Sequence, residues 1–142
     1  MALNVEIFTL CDYATVSREQ KLSIIGIFDQ FYVSDIPTNW PKMFLVAVLA
    51  GQPNEEYDIR LKITPPEKTE QNFPQKDLRV SIGQNGKAHL ITELANFPLP
   101  VVGTYKIEIT LKKQKVATLE FKVNKTTATY NSEDLKNNKI VN

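Results

Sequence analysis

Residues 103–111 and 119–123 constrain the fold more than any other part of the chain. Tyr105, Ile107, Ile109 and Leu111 alternate with Thr104, Lys106, Glu108 and Thr110, and Leu119, Phe121 and Val123 repeat the pattern. Successive side chains of a strand point to opposite faces, so such runs set one face on a core and the other in water. Lys112, Lys113, Gln114 and Lys115 between them belong in solvent, and the two runs read as an antiparallel hairpin. No stretch shows sustained helical periodicity. The expectation is an all-β chain, a two-sheet sandwich of about eight strands.

The rest of the chain supplies the other strands. Residues 4–11 carry apolar side chains on both faces, as in a strand covered on both sides or at a sheet corner. Residues 12–21 are polar and read as a connection or a short helical turn. Leu22 to Phe28 returns to β-branched and aromatic residues, Gly26 marks a bulge or close approach, and the strand is expected to continue through Phe31, Tyr32 and Val33. Pro37 and Pro41 make residues 36–41 a connection, because proline cannot serve a central ladder. Met43 to Ala50 is continuously apolar and is the best candidate for a central strand. Tyr57, Ile59, Leu61 and Ile63 alternate with polar residues, and residues 65–76 form a polar loop. Asn85-Gly86 predicts a hairpin between a strand of Leu78, Val80 and Ile82 and one of Ala88 and Leu90. Residues 97–100 then bridge to the last hairpin.

At 142 residues the chain is expected to form one β-sandwich domain over residues 1–124, with a polar, flexible tail over 125–142 in which Asn131 or Ser132 caps at most a short helical segment. One cysteine, Cys11, rules out an internal disulfide framework and suits a reducing compartment. No basic leader precedes an apolar segment, and no apolar run is long enough to span a bilayer, so a cytoplasmic location without membrane contact is expected. Net charge is only +1, but residues 1–71 carry 6 basic and 10 acidic side chains while residues 72–142 carry 11 and 6. If the interleaving of strands does not cancel this asymmetry, it favours heterotypic or head-to-tail contacts.

Two stretches carry a family resemblance. Residues 7–14 hold Asp12-Tyr13-Ala14 after a strand, and residues 21–29 hold Lys21-Leu22-Ser23-Ile24-Ile25-Gly26 leading into a second strand. This opening resembles that of a family of small uncharacterised bacterial proteins. The Gly103-Thr104-Tyr105 hairpin is similar to the closing hairpin of that family and of many immunoglobulin-like sandwiches. The resemblance covers about residues 3–124 and implies an immunoglobulin-like two-sheet antiparallel β-sandwich. It implies no activity, cofactor or catalytic residue. Tyr105 resembles the tyrosine of a tyrosine corner, whose hydroxyl ties a strand start to an upstream carbonyl.

No catalytic constellation stands out. One Cys and the single histidine, His89, cannot supply a zinc site, and His89 alternates outward from Ala88 and Leu90. Cys11 beside Asp12 would need a nearby base to act as a nucleophile. Asp12, Asp29, Asp35 and Asp58 show no spacing for acid and base work; Asp29, Asp35 and Asn39 are a remote calcium alternative. Lys106, Lys112, Lys113, Lys115, Lys122 and Lys125 make the last hairpin basic, but Glu108 and Glu120 interleave, so the row reads as a solvated, edge-protecting face rather than a nucleic-acid footprint. The expectation is a non-enzymatic interaction module, without metal or cofactor, that binds a protein partner or itself. The alternative is a carbohydrate- or small-ligand-binding domain. Tyr32, Trp40 and Tyr57 are the candidate binding residues for either.

Overall fold

The computed structural model describes residues 3–69, 73 and 75–126. They form nine strands: β1 Asn4–Val16, β2 Leu22–Phe28, β3 Gln30–Val33, β4 Thr38–Ala50, β5 Glu56–Thr64, β6 Lys76–Ser81, β7 Lys87–Leu99, β8 Gly103–Leu111 and β9 Gln114–Lys125. One sheet has the order β2-β1-β4-β7 and the other β3-β9-β8-β5-β6. Every pairing is antiparallel except that of β3 with β9.

The period-2 runs form strands because their apolar faces meet between the sheets. Met43, Leu45, Ala47 and Leu49 of β4 face Ile59 and Leu61 of β5, Tyr105, Ile107 and Ile109 of β8, and Phe121 and Val123 of β9 in one buried cluster. Each fully buried Leu, Ile or Phe contributes about 1.5–3 kcal/mol. One end of this core is aromatic. Phe31 packs edge-on to Phe28, Trp40 and Phe121 at 5.0, 4.7 and 5.4 Å, and Tyr105 stacks on Phe121 at 5.1 Å. The Tyr105 hydroxyl donates to the Val101 carbonyl at 2.6 Å and accepts from the Val101 amide at 3.2 Å. The tyrosine corner is thus formed at the start of β8.

The final hairpin turns more tightly than its lysine-rich sequence implies. Only Lys112 and Lys113 lie in the turn, both left-handed at φ 50° and 67°, and Gln114 already belongs to β9. Positive φ at both central residues is the two-residue turn whose twist matches the flanking strands.

Several expectations are corrected. The polar residues 12–16 lie in β1; the turn is confined to residues 17–21, where Gln20 has φ 65° and the Ser17 amide donates to the Lys21 carbonyl at 2.9 Å. β2 ends at Phe28, and the chain leaves its sheet at Asp29 so that β3 pairs with β9 in the other sheet. Residues 38–41 belong to β4 and residues 97–99 to β7. Pro41 is tolerated because β1 pairs with β4 only from Phe44 onward and the β4–β7 ladder skips Pro41 and Asn96, and Pro98 because β7 is an edge strand. Asn96 has φ 51°, and across it the inward side changes: Ala95 is exposed while Phe97 is buried. Asn85-Gly86 does turn the chain, with the Gly83 amide bonded to the Lys87 carbonyl, but β6 and β7 enter different sheets rather than one hairpin. The Ile36–Pro37 peptide is cis. Beyond β9, the Thr126 amide donates to the Val33 carbonyl at 2.8 Å; the remainder of the expected tail, with Asn131 and Ser132, lies outside the described residues.

Candidate interaction surface

The residues of the opening motif build a corner. Asp12 and Gly26 stand opposite each other where the β1–β2 ladder makes no bridge. Gly26 has φ +71°, and a Cβ there would collide with the Asp12 carboxylate. Only glycine takes that conformation without strain and leaves that room. Past this corner the hairpin folds across the outer face of the four-stranded sheet. Ala14, Leu22 and Ile24 of the hairpin pack with Cys11, Phe44, Val46 and Ile91 of the sheet, and Cys11 and Val46 are wholly buried. At the hairpin tip, Val16 and Gln20 border a cleft of about 800 Å³ that Asn85, Lys87 and His89 line from the far edge of the sheet. The motif therefore specifies a second, small core: Asp12 and Gly26 at the bend, Ala14, Leu22 and Ile24 on the covered side.

This arm leaves an unusual edge. Among the described residues, β2 is hydrogen-bonded on one side only, to β1. It contains no charged residue, and Ile25 and Ile27 are 58% and 65% exposed, beside Tyr13 at 48%. The other edge strands are protected in the usual ways. β6 carries Lys76, Asp77 and Arg79; β7 carries Lys87, Glu93 and Pro98; β3 is four residues long. The outer face of the five-stranded sheet is polar as well. Arg60 donates to Asp77 at 2.6 Å and Arg79 to Asp58 at 2.9 Å across the β5–β6 pair. Hydrogen bonds from these guanidiniums hold both carboxyls below the usual range. Apolar exposure is thus concentrated on β2 and its neighbour Tyr13, with Ile7, Tyr32 and Val102 elsewhere among the described residues.

The three aromatics singled out from sequence do not share a surface. Trp40 is half-buried against Phe31 in the aromatic end of the core. Tyr57 packs against the core too, and its hydroxyl accepts from the Gln52 amide at 3.1 Å. Tyr32 is exposed on β3, with β9 and β8 between it and the strand of Tyr57. Sequence reasoning passed over Ile25 and Ile27, because only the sheet order shows that β2 is an edge. The available signal was an uncharged, β-branched run that lacked a charge to guard it.

Cys11 and His89 are not brought together. Cys11 lies opposite Phe44 and His89 opposite Val48, on strands separated by β4. The Cys11 thiol donates to the Tyr13 carbonyl at 3.4 Å; burial pushes its pKa up, the Tyr13 bond opposes this, and the Asp12 charge adds to it. Among the described residues, no three of His, Cys, Asp or Glu gather into a metal-binding group. Nor is any helix there long and apolar enough to cross a membrane.

The fold defines the class. Two sheets enclose one core, β3 runs parallel to the last strand, and a tyrosine corner opens β8: this is an immunoglobulin-like β-sandwich. The chain belongs to a family of unknown function, DUF6941, whose model matches residues 6–124. No curated protein matches it in sequence. Among solved structures, the DNA-bound alkylpurine DNA glycosylase AlkC of Pseudomonas fluorescens is similar at 10% identity and a TM-score of 0.52, covering 86% of this chain and 30% of that one. A Bifidobacterium adolescentis GH3 beta-glucosidase is similar at 8% identity and a TM-score of 0.51, covering 92% and 18%. This chain therefore spans less than a third of either, and the likeness is one of fold alone. An immunoglobulin-like protein of Pseudomonas aeruginosa matches over 87% of this chain and 98% of its own at 14% identity, with a TM-score of 0.46.

Proposed function

We propose that this protein is a non-catalytic interaction module whose binding element is the β1–β2 arm, with the free edge of β2 taking up a strand from a protein partner or from another copy. One observation carries the reading: β2 is an uncharged edge strand with Ile25 and Ile27 more than half exposed. An unpaired edge offers main-chain donors and acceptors for strand addition, and its exposed side chains supply selectivity. Natural edges are guarded against this unless pairing is their use. The test is capture from native cell extract with the full chain and with an Ile25→Lys, Ile27→Lys variant. Both positions are exposed, so the variant is expected to fold. Partners lost with the variant support the reading, and partners retained by it overturn it. We place this work in the cytoplasm, which the lone buried Cys11 thiol suits. Fractionation of native cells that finds the protein elsewhere would refute the placement.

A further inference from the structure

We propose that the strand taken up by the β2 edge is β2 of a second copy of this chain, paired antiparallel about a two-fold axis at Ile25. This rests on the edge reading above and adds the occupant and its register. Three observations converge on it.

The first is charge. β2 is uncharged, but it is flanked by Lys21 at its start and Asp29 at its end. Antiparallel pairing centred on Ile25 sets Ser23 against Ile27 and Lys21 of each copy against Asp29 of the other. Parallel pairing would set lysine near lysine and aspartate near aspartate, which is unfavourable. The present partner of Lys21 is Glu19, an exposed pair at 3.4 Å that holds it weakly and lets it re-pair.

The second is the phase of the ladder. The Ser17 amide bonds to the Lys21 carbonyl, and antiparallel bonding alternates along the strand from that pair. Up to Gly26, where the ladder makes no bridge, Ser23 and Ile25 therefore spend their main-chain groups on β1, while those of Leu22 and Ile24 face the free edge. About an axis at Ile25, the two Ile25 residues then form the closely spaced kind of pair, without hydrogen bonds to each other.

The third is shape. The exposed Ile25 side chains meet across the axis, and Gly26 brings no side chain to the position opposite Ile24. A symmetric contact of this kind closes on itself, which satisfies an edge that would otherwise recruit further strands. An added strand buries less than the roughly 1,600 Å² of a standard interface, so association in the micromolar range is expected.

Sedimentation velocity of the full chain from about 1 to about 300 µM, spanning that range, reads the association directly. The wild type is expected to pass from monomer to dimer, and Ile25→Lys to remain monomeric. Lys21→Glu and Asp29→Lys are each expected to weaken the dimer by about threefold to tenfold, and the double exchange to restore it. Register is read by crosslinking. Under mild oxidation Ile25→Cys is expected to give a disulfide-linked dimer, because the two Cα atoms fall about 4.5 Å apart in a pair of that type. Ser23→Cys is not expected to link, because those residues stand about 14 Å apart. A wild type that stays monomeric throughout, or a Ser23→Cys that links as readily as Ile25→Cys, overturns the proposal. If the monomer still captures a partner that Ile25→Lys, Ile27→Lys loses, the edge reading survives without the second copy. If the dimer persists in Ile25→Lys, the copies meet elsewhere and the proposal is overturned, while the edge reading stands or falls by the capture experiment.

Discussion

Removing the Tyr105 hydroxyl tests whether the tyrosine corner holds the sandwich closed. Tyr105→Phe keeps the ring, so its stack on Phe121 at 5.1 Å and 14° survives. It deletes the donor to the Val101 carbonyl at 2.6 Å and the acceptor for the Val101 amide at 3.2 Å. A net hydrogen bond contributes about 0.5–1.5 kcal/mol, and a buried group left without a partner costs about 1–3 kcal/mol. The site is only partly buried, so water recovers some of the loss, and the expected destabilisation is about 1.5–3 kcal/mol. For a domain of this size that lowers the Tm by roughly 5–10 °C. Urea unfolding followed by Trp40 fluorescence gives the free energy. Tyr32→Phe, which removes an exposed hydroxyl bonded only to Gln30, is the control and should stay within about 0.5 kcal/mol. A Tyr105→Phe loss no larger than that of the control would refute the argument. The same site has a pH signature. Burial raises the Tyr105 pKa above its ordinary 10.0; the Val101 amide bond works against this, and the Glu67 charge adds to it. The unfolded tyrosine then ionises first, so the contribution is complete below pH 10 and is lost as pH rises through the folded value. The advantage of wild type over Tyr105→Phe should therefore shrink above that pH.

Other outcomes follow from the same geometry. Cys11 is wholly buried with a raised pKa, so a thiol reagent should label it only on unfolding; rapid labelling of the native protein would show that the arm opens readily. Lys112→Asn with Lys113→Gly supplies residues that tolerate φ 50° and 67°, and should stabilise the protein by about 1 kcal/mol in urea unfolding. Gly26→Ala places a Cβ in a left-handed conformation against Asp12 and should cost about 1–2 kcal/mol, a loss that Asp12→Ala would not remove entirely. Asp58 is held below its ordinary 3.8 by hydrogen bonding to Arg79, so Arg79→Met should raise its midpoint in an NMR titration. The depressed carboxyl stabilises the fold above pH 3.8, and that contribution is lost as pH falls through the folded value.

The sequence by itself determined the strands whose two faces differ. β5, β8 and β9 are legible because polar and apolar residues alternate where one face meets the core, and the apolar run of β4 is legible because its outer face also meets the arm. The motif of Asp12, Ala14, Leu22, Ile24 and Gly26 was visible too, though its meaning as a bend was not. Tertiary structure alone decided which sheet each strand joins. Local turn chemistry placed Asn85-Gly86 in a turn but could not say that β6 and β7 part company after it, nor that Asp29 carries the chain from one sheet to the other. It also decided edge status. Pro41 is tolerated because β1 pairs with β4 only beyond it, and Ile25 and Ile27 matter because no strand of the described residues lies beyond β2. Periodicity reports which side of a strand meets apolar neighbours. The neighbour that is missing along its edge is a property of the assembled sheet, and there the candidate surface lies.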